Sequence, residues 1–333
     1  MSRIICFVFL IGVLFSCNSD HRNVSVENTQ TIDSITHLED VVTPTLTDPV
    51  KSLFGDIHKN EHKAVLFFAQ QVLGVENERV NDLNVILSDF LNDSTVQKAY
   101  IAVGKINQIS PLDDSIKKCF HYFNYYFPNS PLPHIYTLVS GFNNSILYSK
   151  DELGVSLEMY LGSDCPYYDM LAIPKYKHKL MIRERIPLDI MEFWLRVQYP
   201  MSIKKRRLID YLIYEGKILY ALTYIFPDKD IFFSIGYNKD QWRWCETSEA
   251  AMWNYLVDQK MLFDTNQLLV RKMVGPSPFT NFFTTKSPGQ CGRWIGYRLI
   301  ESYMKKNPGV TIQKLFEMKD SSKILSHTGY APS

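Results

Sequence analysis

The sequence lacks the short motifs that identify most hydrolases and nucleotide-binding proteins. HExxH, GxSxG, the Walker loop and GxGxxG do not occur in its 333 residues. It also lacks an excess of charge of one sign, since 36 lysines and arginines stand against 35 acidic residues. A protein without a net basic field has no general means of gathering nucleic acid, so binding to nucleic acid is disfavoured.

Long hydrophobic runs are also scarce, and the one at the N-terminus is too short to span a bilayer as a mature helix. Arg3 precedes the apolar residues 4–15, and Ser16 and Cys17 follow them. This order is typical of a lipoprotein signal peptide. It predicts that residues 1–17 are the signal and that Cys17 becomes the lipidated first residue of the mature chain. Several acyl chains on one cysteine would form a lasting membrane anchor. Ordinary secretion with a coincidental cysteine is the alternative.

Cysteines with metal-binding spacing are absent as well. Beyond Cys17 the mature chain keeps four cysteines, without a CxxC pair or the spacing of a zinc site: Cys119, Cys165, Cys245 and Cys291. An exported protein can pair such cysteines in disulfides. A domain of this size does not need disulfides for stability, so buried free thiols are an equal alternative.

The mature chain divides into a short polar segment and one large domain. Residues 18–49 are rich in serine, threonine, asparagine and aspartate and have little to bury, which predicts a flexible tether. Residues 50–333 have enough apolar content for a single domain. Within it, apolar residues at helical spacing predict an N-terminal helical part over residues 50–130, with helices at 61–73, 78–91, 96–106 and 113–127.

The second part of the domain, residues 131–333, is predicted to contain a small sheet and further helices. Short β-branched or aromatic segments at 134–140, 145–149 and 155–160 are separated by turn sequences and indicate antiparallel strands. Helical periodicity returns over residues 188–198, 205–226, 239–260, 292–306 and 312–318. The predicted fold class is therefore α+β, mostly helical, with a small antiparallel sheet.

Two histidines near the start of the domain have the spacing of an inverted zincin motif. His58, Glu61 and His62 fit HxxEH, in which the histidines hold zinc and the glutamate activates water. The pattern opens a polar segment just after the predicted tether, and no third ligand follows it. Solvent-facing histidines at a helix start are therefore the favoured interpretation, and no metal or cofactor is expected.

Several aromatic stretches of the second part carry a resemblance to a known family. They are residues 209–220, 242–253 and 287–304, together with residues 159–162 and 326–332. These stretches resemble the gliding-motility lipoprotein GldB family of Bacteroidetes, and the resemblance covers nearly the whole mature domain. It implies a zincin-like domain, similar to zincin-type metallopeptidases but with a degenerate motif. The counterpart of the HExxH helix, residues 186–199, contains no histidine.

The same resemblance implies a degenerate cleft in place of a catalytic site, and no catalytic residue is assigned. The candidate cleft residues are five carboxylates and one arginine: Asp189, Glu192, Glu215, Glu246, Glu249 and Arg293. Carboxylates without a placed imidazole pair suit calcium better than a hydrolytic zinc. The alternatives are that Asp189 and Glu192 cap or solvate a helix start, and that the carboxylates pair with the arginine.

These observations favour a non-catalytic binding or scaffolding role at the membrane. The resemblance implies partners among the envelope proteins of a gliding or secretion apparatus, met through the aromatic helices of residues 242–297. Residues 18–20 lack an acidic run, which favours the periplasmic face of the outer membrane. A divergent metal-dependent peptidase or hydrolase and a binder of glycan or peptidoglycan fragments are the alternatives.

Overall fold

The computed structural model describes residues 24–42, 59–75, 83–105, 109–201 and 206–333. The predicted signal peptide with Cys17 lies outside the described residues. The two histidines of the HxxEH pattern also lie outside them, since neither His58 nor the side chain of His62 is described. No helix within these ranges combines the length and the apolar character needed to cross a membrane.

Helices make up most of the described chain. The N-terminal part contains α1 (Leu38–Val41), α2 (Lys59–Gln71), α3 (Leu83–Asn92), α4 (Ser94–Gly104) and α5 (Ile109–Tyr126). The C-terminal part contains α6 (Pro166–Met170), α7 (Lys175–His178), α8 (Ile186–Gln198), α9 (Leu208–Ile225), α10 (Ile231–Ile235), α11 (Lys239–Thr247), α12 (Glu249–Asp258), α13 (Gln267–Val274), α14 (Cys291–Lys306), α15 (Ile312–Glu317) and α16 (Ser321–Thr328). Together with a small sheet, they confirm the mostly helical α+β class.

The sheet has four strands and is mixed, so the prediction of an antiparallel sheet is wrong. Its strands are β1 (Ile35–His37), β2 (His134–Leu138), β3 (Ile146–Ser149) and β4 (Glu152–Ser156), in the order β1-β2-β4-β3. The β1–β2 and β2–β4 pairs are parallel, and only the β3–β4 hairpin is antiparallel. The prediction also extended the last strand to residue 160, whereas Leu157–Tyr160 forms a 3-10 turn.

The strand β1 lies in the segment predicted to be a flexible tether, and that prediction is wrong for residues 35–42. Ile35, Leu38 and Val42 are buried against the domain. The ring of His37 contacts the Thr137 hydroxyl of β2 at 2.8 Å, and Thr137 donates a hydrogen bond to Glu39. Because the apolar residues of this stretch are few and separated by polar ones, their burial leaves little trace in the composition.

A second correction concerns residues 239–260, which were predicted as one helix. The chain forms α11 and α12 with a break at Ser248, whose backbone has φ −102° and ψ 3°. The Thr247 hydroxyl, just before the break, donates to the carbonyl oxygens of Arg243 and Trp244. Hydroxyl side chains that bond the backbone in this way compete with helical hydrogen bonds and favour an interruption.

The helices α9 and α14 cross with their backbones in direct contact at the centre of the largest core. A Cβ atom added to Gly216 would lie 2.1 Å from the carbonyl oxygen of Gly296, and one added to Gly296 would lie 2.0 Å from the carbonyl oxygen of Leu212. Only glycine permits so close an approach. Glu215 and Arg293 lie next to this crossing, so it sets the distance between their two helices.

Candidate functional site

The predicted cleft residues of α8 line a depression of about 780 Å³, which we call the central cleft. Its floor is one face of α8, and the 3-10 turn of residues 157–160, the segment 171–181 and the start of α14 form its walls. A volume of this size is typical of small-molecule or peptide sites. Five basic side chains, from Lys177, Lys179, Arg185, Arg196 and Arg293, face it.

The helix α8 presents its charged residues to the cleft because of their spacing. Pro187 occupies the first turn, where its missing N–H costs nothing. Asp189, Glu192 and Arg196 follow at intervals of three and four residues, which places them on one face of the helix. The opposite face, including Trp194, is buried in the core. The amphipathic pattern of α8 therefore anchors the helix and aims its charges into the cleft.

Four of these charged groups form a compact ion-pair network. Arg196 binds Glu215 through two parallel contacts, Nη1 to Oε1 at 2.8 Å and Nη2 to Oε2 at 2.7 Å. The Oε1 atom of Glu192 accepts from Arg196 and from Arg293, each at 2.7 Å. The Arg293 Nε atom lies 3.0 Å from Glu215 Oε2. Two guanidinium groups thus neutralise two carboxylates at the crossing of α8, α9 and α14.

The electrostatics of the network hold Glu192 in its ionised form. Burial alone would raise the pKa of Glu192, but the charges of Arg293 and Arg196 outweigh it and lower the pKa to about 2. Removing one member of such a buried set leaves an uncompensated charge, which costs far more than the pair itself contributes. A carboxylate that is permanently charged and doubly hydrogen-bonded is poorly suited to accept or release a proton near neutral pH.

Asp189 lies one turn earlier on α8 and has different surroundings. Burial raises its pKa, while the Arg185 charge opposes the rise and the charge of Glu192 adds to it. Arg185 donates to its Oδ1 atom from Nε at 3.2 Å and from Nη2 at 2.9 Å. The Tyr160 hydroxyl donates to its Oδ2 atom at 3.1 Å. The two acids of α8 that line the cleft therefore differ, since the pKa of Asp189 is raised and that of Glu192 is lowered.

The backbone around the central cleft contains an unusual share of left-handed conformations. Five non-glycine residues of the described chain have positive φ, and three of them, Phe142, Ala172 and Gln290, line the cleft. Such conformations disfavour residues with a Cβ atom and are concentrated at functional sites. The cleft is therefore a locally strained region as well as a charged one.

The structure separates Glu246 and Glu249 from the other candidate residues. Both line a second cavity, of about 660 Å³, beside the C-terminal residues 329–333. Glu249 accepts from Arg298 Nε at 2.9 Å and from the Tyr330 hydroxyl at 2.7 Å, and Glu246 is exposed. Because Arg298 follows Arg293 by five residues on α14, the two arginines point about 140° apart. Asp189, Glu192 and Arg293 line the central cleft, and Glu215 joins them through its ion pairs.

Sequence reasoning missed the basic partners of the site. Arg185 and Arg196 were not singled out, although Arg185–Asp189 and Glu192–Arg196 are both i,i+4 pairs. For Glu192 and Arg196 that spacing on the predicted helix was the available signal, whereas Arg185 precedes the helix predicted from residue 188. Tyr160 had no such signal, because only the folding of the 3-10 turn over α8 brings its hydroxyl to Asp189.

The aromatic segment predicted as a partner surface packs largely inward. Trp294 is fully buried, and the ring of Trp242 lies 6.0 Å from it and 6.3 Å from the ring of Tyr297. Trp253 packs edge-on against Tyr330. Most of these rings are therefore part of the hydrophobic core or pack against it.

The cysteines of the domain are free thiols. Cys119, Cys245 and Cys291 are buried, and Cys165 is partly exposed. Cys245 and Cys291 are close enough to hydrogen-bond to each other. In the described ranges, no three side chains of His, Cys, Asp or Glu come together in an arrangement that could hold a metal ion.

The fold and site define a class of protein: a mostly helical α+β domain whose cleft carboxylates are neutralised by arginines. A family model described as gliding motility protein GldB matches residues 20–332. The chain therefore belongs to this family, which links it to gliding motility. Neither a curated protein nor a solved structure matches it significantly.

Proposed function

We propose that the chain is an envelope lipoprotein, anchored through Cys17 at the periplasmic face of the outer membrane, that acts by binding and not by catalysis. Its partners would be envelope proteins of the gliding apparatus and the associated secretion machinery, and they would bind at the central cleft. The observation that carries this proposal is the ion-pair network of the central cleft, in which Glu192 and Glu215 are occupied by Arg196 and Arg293.

The network argues against hydrolysis because each usual role of a carboxylate needs a free oxygen. A general base must reach a substrate proton, and a metal ligand must offer a lone pair to the ion. Both oxygens of Glu215 and the Oε1 atom of Glu192 instead accept from guanidinium groups. No histidine is present among the described residues that line the central cleft.

Asp189 supports a second candidate function, that of a divergent hydrolase. Its raised pKa and its position on the cleft floor suit a general acid. A metal-dependent reaction would additionally require ligands beyond the carboxylates of α8. The two candidate functions therefore differ at Asp189, because the hydrolase needs its proton and the binding role does not.

Asp189→Asn separates the two candidates with a side chain of nearly the same size and shape. The asparagine keeps an Oδ1 acceptor for Arg185 but cannot donate the acid proton. In a strain that lacks the chromosomal gene, we expect this variant to restore surface spreading, whereas Cys17→Ala should fail through loss of the anchor. An Asp189→Asn protein that is membrane-bound at the normal level and leaves the cells non-motile would contradict the binding role.

A further inference from the structure

A buried lysine on α9 faces a pocket separate from the central cleft. Lys217 is 6% exposed, and its Nζ atom donates to the carbonyl oxygen of Met318 at 2.6 Å. No carboxylate of the described chain forms an ion pair with it. An ammonium group removed from water without an opposite charge is costly, and folded proteins rarely retain one without a reason.

The surroundings of Lys217 add positive charge and do not balance it. Burial, and to a lesser degree the nearby charge of Lys319, lower the pKa of Lys217 to about 7. Two acids line the same pocket, but both are already engaged. Asp210 forms an ion pair with Arg207, and Asp320 caps the start of α16 by accepting from the Ser322 and Lys323 amides.

The pocket is large enough for a ligand, with about 570 Å³ between α9, the end of α8 and the segment that joins α15 to α16. We call it the lysine pocket. Much of its wall is apolar, with the rings of Tyr199 and Phe316 in contact at 5.0 Å and Ile213 and Met318 nearby. A charged end beside an apolar wall is the arrangement that recognises an amphipathic molecule.

We propose that the lysine pocket binds the carboxylate of a ligand with an apolar body, such as an N-acylated amino acid or the end of a peptide, through Lys217 and Lys319. A carboxylate fits better than a phosphate for two reasons. Asp210 and Asp320 on the wall disfavour a doubly charged anion. Arg207, the one arginine among the described residues that line the pocket, is already paired, and arginine is the residue that best matches phosphate geometry.

This site is independent of the proposed anchoring and partner binding, although the two regions touch. Tyr214 lines the lysine pocket, and the guanidinium group of Arg196 lies over its ring at 5.6 Å. A ligand seated against Tyr214 would therefore contact the ion-pair network of the central cleft through one side chain.

The test uses N-acetyl-L-phenylalanine as the probe and its uncharged amide as the control ligand, with binding to the full domain measured by calorimetry. We expect the carboxylate to bind about tenfold more tightly than the amide, since a charge-assisted contact of about 1.4 kcal/mol is lost. Lys217→Met and Lys319→Met should each remove most of this preference. Lys323→Met, an exposed lysine on α16 outside the pocket, should leave it unchanged.

Lys319 is exposed, so its variant keeps the test valid even if Lys217→Met folds poorly. Equal binding of the acid and the amide would overturn the proposal, as would a Lys319→Met protein with undiminished preference. Saturation by inorganic phosphate without any binding of N-acetyl-L-phenylalanine would overturn the choice of carboxylate. Absence of binding of every probe into the millimolar range would overturn the site itself.

Discussion

Replacing Gly216 by alanine tests whether the contact between α9 and α14 holds the site together. The added Cβ would lie 2.1 Å from the Gly296 carbonyl oxygen, where ordinary contact begins at about 3.4 Å. Overpacking of this kind costs roughly 1–3 kcal/mol, and occasionally more when backbone must move. The better helix propensity of alanine offsets about 1 kcal/mol of it. Because the obstacle is backbone, we expect a net loss of about 2 kcal/mol.

Thermal and urea unfolding followed by circular dichroism measure this loss. At about 2 °C per kcal/mol for a large domain, Tm should fall by about 4 °C. Gly104→Ala is the matched control, because Gly104 ends α4 with no atom near the position of a Cβ. That variant should stay within about 0.5 kcal/mol of the parent protein. A Gly216→Ala protein as stable as the Gly104→Ala protein would refute the close crossing.

Three further predictions concern charge and the C-terminal segment. Since the folded pKa of Glu192 is lowered to about 2 from 4.5, its contribution, on the order of 3 kcal/mol, should be present above pH 4.5 and be lost towards pH 2. In acid unfolding measurements, the Glu192→Gln variant should not show this loss of stability towards pH 2. The folded pKa of Lys217 is lowered to about 7 from 10.5, so stability should rise between these pH values, and Lys217→Met should abolish the rise in alkaline urea titrations. Tyr330→Phe removes the hydrogen bond to Glu249 and should cost about 1 kcal/mol in the same unfolding assay. An unchanged midpoint would mean that the contact between Tyr330 and Glu249 does not stabilise the fold.

The parts of the fold that could be predicted are those with strong local signals. The periodicity of α8, its early Pro187 and the apolar face around Trp194 together fixed a helix and placed Asp189 and Glu192 on it. The strand β1 has one buried apolar residue, Ile35, and is formed by pairing with a strand about a hundred residues later. Composition alone cannot reveal a strand of this kind, because its stability comes from a distant partner.

The grouping of the candidate residues depended on tertiary geometry. Glu246 and Glu249 were grouped with Glu215 because the resemblance implied a single degenerate cleft. The break at Ser248 and the different directions of Arg293 and Arg298 on α14 divide them between two cavities. Pairing of carboxylates with an arginine was one of the alternatives derived from the sequence, and it describes the contacts of Glu192 and Glu215.

The central claim, that the anchored domain works by binding, is tested most directly by photo-crosslinking in living cells. A photoreactive residue at Lys177, exposed on the rim of the central cleft, reports what occupies the cleft, and mass spectrometry identifies the product. The account predicts one defined adduct with an envelope protein, unchanged by Asp189→Asn and abolished by Cys17→Ala. If this photoreactive variant keeps the cells motile but forms no adduct at the cleft rim, the result contradicts the binding role.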